Sequence, residues 1–249
     1  MYNQLGYELG SWTLSRIEEM EEPPEGSISL LEMEWDLLPD VFPPHTDPCP
    51  GLFASWVPYG KEHRLLEMGC GAGVASVLAA QQGCDRVVAL DINPAAVENT
   101  RRNAAKHGVT DRVTALTSDL FDALDSTEMF DLIFWNAPFI EAPEDRPYGK
   151  QIERAVFDPG YELQRRFFHE SRSHLADGGR MYLGTSDAMG NPEKMLEVAS
   201  DAGFEGQKYR TELMELPAAD FEQTPAVTAN TDEHGMVAMD FTLYEFLRR

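Results

Sequence analysis

Residues 64–73 read Arg-Leu-Leu-Glu-Met-Gly-Cys-Gly-Ala-Gly, and no other stretch of the 249-residue chain restricts the fold as strongly. The apolar run Arg64–Met68 has the length of a buried strand, and Val74–Gln82, closed by Gly83, has helical character. Between them, Glu67-x-Gly69-x-Gly71-x-Gly73 must reverse the chain within a few residues. Glycine permits this because it adopts positive φ and has no Cβ to hold a ligand at a distance. A strand that turns through glycines into a helix belongs at the carboxyl edge of a doubly wound sheet, where such folds bind cofactors. Glu67, Gly69, Gly71 and Gly73 are therefore the first cofactor-binding candidates. The G-x-G-x-G spacing differs from the dinucleotide G-x-G-x-x-G, since Val74 stands where the pattern continues. A tight turn without a ligand is the alternative.

The surrounding pattern agrees with that placement. Strands are expected at Arg86–Leu90, Val113–Thr117, Phe130–Trp135 and Arg180–Thr185, with helices between them. Asn93-Pro94 and Asn191-Pro192 each supply an N-cap and a first-turn proline. A helix is expected over Tyr161–Leu175. Two strand-like runs near Gln207–Leu216 and Met236–Phe246 close the chain, joined by a polar linker instead of a helix. The expected fold is α/β and Rossmann-like: a seven-stranded, mostly parallel sheet with one antiparallel strand and helices on both faces. Residues 1–60 read as an N-terminal extension or substrate lid on a catalytic domain of residues 61–249. Within the extension a helix is expected at Gly10–Met20, and a half-buried strand where Leu31, Met33, Trp35 and Leu37 alternate with acids. Four prolines in Phe42–Pro50 predict irregular structure.

Two further acids stand at strand ends. Asp91 closes the second strand, where a carboxylate accepts hydrogen bonds from vicinal ribose hydroxyls, and Ile92 beside it joins the same cofactor contact. Asp119 ends the third, placed to accept a hydrogen bond from an adenine amino group while Leu120 packs on the ring. Both point to a nucleoside-bearing cofactor. No metal is expected: the three cysteines lack C-x-x-C spacing, and His45-x-Asp47 lacks the barrel that an iron facial triad needs.

The fourth strand runs into Asn136-Ala137-Pro138-Phe139. With this motif, from about Leu37 to Gly203, the chain resembles class I S-adenosylmethionine-dependent methyltransferases. Within them it is most similar to the amino-group enzymes whose fourth motif reads [N/D]-P-P-[Y/F], which include release-factor glutamine N5-methyltransferases and N6-adenine methyltransferases. The resemblance implies S-adenosylmethionine as cofactor and methyl transfer to nitrogen. It gives Asn136, Pro138 and Phe139 the catalytic roles, with Asn136 also facing the cofactor. The Asn136 side-chain carbonyl and the main-chain carbonyl of residue 137 would accept from one NH₂ group, Phe139 would stack on it, and Pro138 would stiffen the turn. It also lays Phe42, Pro43 and Thr46 over the cofactor. Ala137 departs from the pattern, and the release-factor docking helices are not legible in residues 1–60. The first leaves the substrate type open more than the methyl transfer, and the second argues for an acceptor other than a release factor, such as a small molecule; the expected acceptor is an amino or amide nitrogen of a small molecule or peptide side chain.

Charge narrows the partners. The formal net charge is −23, and residues 1–62 hold twelve Asp/Glu against Arg16 and Lys61. Nucleic-acid affinity rests on Lys and Arg at phosphates, so direct RNA or DNA binding is disfavoured. No apolar run is long enough for a membrane span and no leader-like pattern opens the chain, so a cytoplasmic protein is expected. Oligomeric state is left open. The alternatives are an RNA N-methyltransferase working with a partner, a non-catalytic cofactor-binding subunit, and an NAD-dependent oxidoreductase, which the Asn136 motif argues against. Glu141, Glu144 and Asp145 could instead bind a cationic substrate or form a solvated loop.

Overall fold

The computed structural model describes residues 2–20, 26–61, 63–144 and 148–249. In chain order the elements are α1 (Gln4–Glu19), β1 (Gly26–Leu30), β2 (Met33–Leu37), α2 (Cys49–Trp56), β3 (Arg64–Met68), α3 (Val74–Gln81), β4 (Arg86–Asp91), α4 (Pro94–Lys106), β5 (Val113–Thr117) and β6 (Phe130–Trp135). Then come α5 (Gln151–Val156), α6 (Glu162–Ser171), β7 (Leu175–Thr185), α7 (Pro192–Asp201), β8 (Phe204–Pro217), α8 (Pro225–Ala229) and β9 (Met236–Arg248). The main sheet has the order β5-β4-β3-β6-β7-β9-β8. All neighbours from β5 to β7 are parallel, and β9 runs antiparallel to both β7 and β8. This is the expected seven-stranded sheet with one reversed strand.

Alternate side chains of each strand feed two cores. Leu65, Phe134 and Tyr182 enter the one that also holds Phe53 and Phe157, while Leu66, Ile133 and Met181 enter the one holding Phe167, Phe168 and Phe204. A sheet covered on both faces reads as continuous apolar strands, which is why the central strands lie where the sequence places them.

The periphery differs from expectation. The first helix begins at Gln4, not Gly10, because Asn3 caps it through Gly6 N–H (3.0 Å) and Leu5 and Leu9 extend its buried face. The half-buried strand has a partner: β1 and β2 form a separate antiparallel hairpin turning at Leu31 and Glu32, both at positive φ (53° and 60°). The proline-rich run ends in α2, whose early positions tolerate Pro50 because first-turn N–H groups have no helical partner. Helix α8 forms inside the expected polar linker, and α5 in a stretch where no element is expected. The expected Tyr161–Leu175 helix is shorter, ending at Ser171, and β7 pairs from Leu175 onward with a register shift opposite Phe130/Leu132.

Helix α4 ties the hairpin to the glycine turn by polar contacts. Asn99 accepts from Leu38 N–H (2.8 Å) and donates to the Asp36 carbonyl (2.7 Å). Asn103 accepts from Asp36 N–H and donates to the Ala72 carbonyl (2.8 Å each), and Thr100 donates to the Gly71 carbonyl (3.1 Å). All three side chains are buried. The N-terminal segment is thereby fixed beside the loop that the sequence singles out.

Candidate active site

One cleft of about 300 Å³ opens above the carboxyl ends of β3, β4, β5 and β6. Its floor is the glycine turn, with Gly69, Gly71 and Gly73 at φ of 62°, 51° and 80°; Gly69 and Gly71 line the cleft, whereas Gly73 lies against Thr100 and does not. Their reasons differ. A Cβ on Gly73 would stand 2.9 Å from Thr100, and one on Gly69 3.0 Å from the Trp135 ring nitrogen. A Cβ on Gly71 would meet no atom within 4 Å, so the missing side chain leaves open space in the cleft itself. That opening is what a bound cofactor requires of this loop.

The acids around the turn are held in different states. Glu67 is buried and accepts from Ser76 through both its N–H (2.8 Å) and its hydroxyl. Burial outweighs those hydrogen bonds and pushes its carboxyl up to about 8. Asp91 accepts from Gly71 N–H on one oxygen and from Asn93 N–H on the other (2.9 Å each). Each oxygen keeps a lone pair, and burial lifts this carboxyl above its ordinary value. Ile92 beside it is 45% exposed, an apolar side chain at the cleft mouth. Asp119 also lines the cleft, paired with Arg166 of α6 (3.1 and 3.3 Å). Leu120 is buried at a φ of 47°, a left-handed conformation stabilised by Ser118, whose hydroxyl donates to the Leu120 carbonyl (2.7 Å) and accepts from Ala123 N–H (2.9 Å).

On the β6 side, Asn136, Ala137, Pro138 and Phe139 line the same cleft. The Asn136 side chain is half-buried, and among the described residues neither it nor the Ala137 carbonyl has a hydrogen-bond partner. The next two carbonyls are both engaged. Pro138 accepts from Gln164 Nε2 (3.1 Å) and Phe139 from the Tyr161 hydroxyl (2.6 Å). Tyr161, itself at a φ of 57°, also accepts from Asn191 N–H (2.8 Å). Asp158 caps the start of α6 by accepting from Leu163 N–H (3.0 Å) and Gln164 N–H (2.9 Å), with burial raising its carboxyl to about 6. Sequence reasoning missed this supporting set, because nothing in the order of residues 158–164 marks them as partners of residues 138–139.

Other expectations resolve individually. Phe42 and Pro44 line the cleft, whereas Pro43 and Thr46 close a turn on each other through Thr46 N–H (3.1 Å) and Thr46 Oγ1 (2.8 Å). Asp47 accepts from Cys49 N–H (2.6 Å), and no group of metal-ligating side chains occurs among the described residues. Glu141 is buried against Lys194 and Asn191, which outweigh the burial and hold its carboxyl below the usual value; it is not free for a cationic substrate. Glu144 is exposed, and Asp145 lies outside the described residues. No described helix is long and apolar enough to cross a membrane.

A family model for the methyltransferase small domain matches residues 36–209. Among curated proteins, a candidate protein N5-glutamine methyltransferase of Methanocaldococcus jannaschii is 33% identical over 136 residues, covering 53% of this chain and 66% of that protein. A release factor glutamine methyltransferase of Rhodopirellula baltica is 30% identical, covering 53% and 47%. A ribosomal protein uL3 glutamine methyltransferase of Bradyrhizobium diazoefficiens is 34% identical, covering 47% and 39%. The chain thus spans under two thirds of the length of each of these relatives. Among solved structures, a 16S rRNA N2 G1207 methyltransferase of T. thermophilus, in complex with AdoMet and guanosine, superposes with a TM-score of 0.58 at 18% identity, covering 90% of this chain and 50% of that one. A precorrin 8w decarboxylase of Methanobacterium thermoautotrophicum gives 0.56 at 19% identity, covering 84% and 95%. These two likenesses concern the fold.

Proposed function

This chain belongs to the methyltransferase small domain family, whose cofactor is S-adenosylmethionine, and from that premise we propose that it methylates an amide nitrogen of a glutamine-type side chain. One observation carries the reading. Opposite a glycine turn with open space at Gly71, the Asn136 amide and the Ala137 carbonyl face the same cleft with their hydrogen-bonding capacity unspent. An NH₂ group has two donors in one plane, and these two acceptors match them. The names of the curated relatives support a glutamine amide as acceptor.

Bound S-adenosylmethionine supplies an electrophilic methyl. The chain's part is placement. Asn136 and Ala137 would fix the acceptor nitrogen, and Gln164 and Tyr161 hold the two following carbonyls so that the loop need not reorganise. The Phe139 ring closes one side against water. The methylated nitrogen then releases its extra proton to solvent, so no strong base is needed. Glu67, Gly69, Gly71, Gly73, Asp91, Ile92, Asp119 and Leu120 would hold the cofactor, with Arg166 orienting the Asp119 carboxylate. Residues 1–60 would cover the acceptor side of the catalytic unit 61–249. A cytoplasmic setting goes with an acceptor of this class.

The test combines labelled cofactor with fractionation of an extract into protein, RNA and low-mass pools. Label is expected on a side-chain amide in the protein or low-mass pool. Asn136→Ala should lower kcat by about a hundredfold, the usual cost of losing alignment. Label confined to RNA, or unchanged turnover in Asn136→Ala, would overturn the reading.

A further inference from the structure

The part of the cleft beyond Asn136 is built from elements that the family motifs do not contain. Helix α1 contributes Leu9, Gly10 and Thr13, and α5 contributes Ile152, Arg154 and Val156. These two helices are anchored to the fourth motif itself. Phe157, just after α5, bridges Ile140 in parallel register, and Asp158 N–H donates to the Ile140 carbonyl (3.0 Å). Gly10 packs so closely that a Cβ there would stand 2.8 Å from the Phe157 ring and 3.0 Å from Ile140. The wall is therefore in fixed register with Asn136, four residues before Ile140.

Most of this wall is apolar, which makes its two polar groups conspicuous. Arg154 is exposed in the last turn of α5, and among the described residues it has no ion pair, hydrogen bond or ring contact. The same holds for Lys61 and no other described Lys or Arg, in a chain with 43 acids and 20 bases. A basic residue in a final helical turn often binds the free helix carbonyls, but Arg154 does not. Of the acids lining the cleft, Asp91 and Asp47 are bonded to backbone N–H groups, Glu67 to Ser76 and Asp119 to Arg166, and the exposed Asp40 makes no ion pair with Arg154. Thr13 is also without a partner among the described residues. It leaves uncapped the hydroxyl that a helical threonine commonly turns onto its own backbone.

Resting on the amide-methylation reading, we infer that Arg154 and Thr13 form an anion subsite for a carboxylate carried by the acceptor next to the methylated amide. The guanidinium fork fits a carboxylate, the hydroxyl adds a third donor, and the apolar wall between this pair and Asn136 takes the methylenes that join the carboxylate to the amide. The carboxylate could be that of a small amide-bearing amino acid derivative or an acidic side chain flanking glutamine in a peptide. These arms are tested separately.

Calorimetry on the chain loaded with S-adenosylhomocysteine reads the subsite without chemistry. The first pair of probes is N-acetylglutamine and its uncharged methylamide. The second is a blocked peptide with glutamate beside glutamine and the same peptide with that glutamate replaced by glutamine. In at least one pair the carboxylate form should bind about tenfold tighter, as for one hydrogen bond to a charged group. Arg154→Gln should abolish the difference, Arg154→Lys should keep part of it, and in turnover the preference should lie in KM. The pair showing the difference identifies the source of the carboxylate. Equal binding within both pairs, or a preference that survives Arg154→Gln, would overturn the subsite. Arg154-dependent binding with no methyl transfer would leave the subsite standing and reject amide methylation, whereas transfer to uncharged amides without a carboxylate preference would do the reverse.

Discussion

At Glu67 burial and hydrogen bonding act in opposite directions on one carboxyl, and burial prevails, lifting it from 4.5 to about 8. Between those values the folded chain keeps a proton that the unfolded chain has released. The stability contributed by this group is thus complete below about 4.5 and is lost progressively as pH rises to about 8. A tenfold difference in proton affinity between the folded and unfolded chains is worth about 1.4 kcal/mol, so the loss amounts to a few kcal/mol. Glu67→Gln keeps an acceptor for Ser76 and removes the titration. Urea denaturation at about pH 5 and about pH 9 should show the variant losing less stability than the parent over that interval, and equal losses would contradict the assignment. The glycines and Asp91 were legible because each role is local: a positive φ, or a carboxylate ending a strand. Tyr161, Gln164 and Asp158 were not. Tyr161 and Gln164 bond backbone groups of residues 139 and 138 that only the folded chain brings near, and Asp158 reaches Leu163 and Gln164 across an intervening turn, so residue type alone does not specify these contacts.

Among the elements, β3 and β6 lie where their apolar runs place them, since strands buried on both faces have few other readings, and the edge strand β5 lies where its β-branched run places it. Residues 1–60 were harder to read for a physical reason. The β1–β2 hairpin turns on Leu31 and Glu32, without the Asn-Gly or Asp-Gly pair that normally marks such a turn. Helix α4 was legible from Asn93-Pro94, but its latch was not, because Asn99 and Asn103 in a helix ordinarily face water. Here they supply the β2 segment with hydrogen bonds that no strand provides on that side. Asn103→Ala would leave Asp36 N–H and the Ala72 carbonyl without their partner, and should cost about 1–3 kcal/mol. Because Ala72 belongs to the glycine turn, affinity for S-adenosylhomocysteine should fall with it. Glu98→Ala, which removes only the exposed pair with Arg102 on the opposite side, should cost under about 0.5 kcal/mol. Denaturation of both variants, with calorimetry for the ligand, checks the contrast; a similar small loss in both would mean that the latch contributes little.

Over the whole molecule, the charge of −23 acts on stability as well as on partners. Many of the few bases are already matched to acids, as in Lys106–Asp36, Lys150–Glu18 and Lys208–Asp187, so the unmatched charge is almost wholly negative. Like charges over one folded surface repel more than they do along an unfolded chain, and salt reduces the difference. The screening length falls from about 30 Å at 0.01 M to about 10 Å at 0.1 M and about 3 Å at 1 M, so most of the relief should come early. Tm should therefore rise steeply with sodium chloride between about 0.01 and 0.1 M and flatten towards 1 M. Sodium sulfate at equal ionic strength should match chloride in the early range and exceed it only later, where exclusion from the surface adds to screening. A flat or falling Tm in the early range would mean that the surplus charge is too dispersed to matter. The same field opposes the approach of any anion, so the subsite proposed at Arg154 depends on the geometry of its guanidinium fork and on the apolar wall beside it, not on the overall charge.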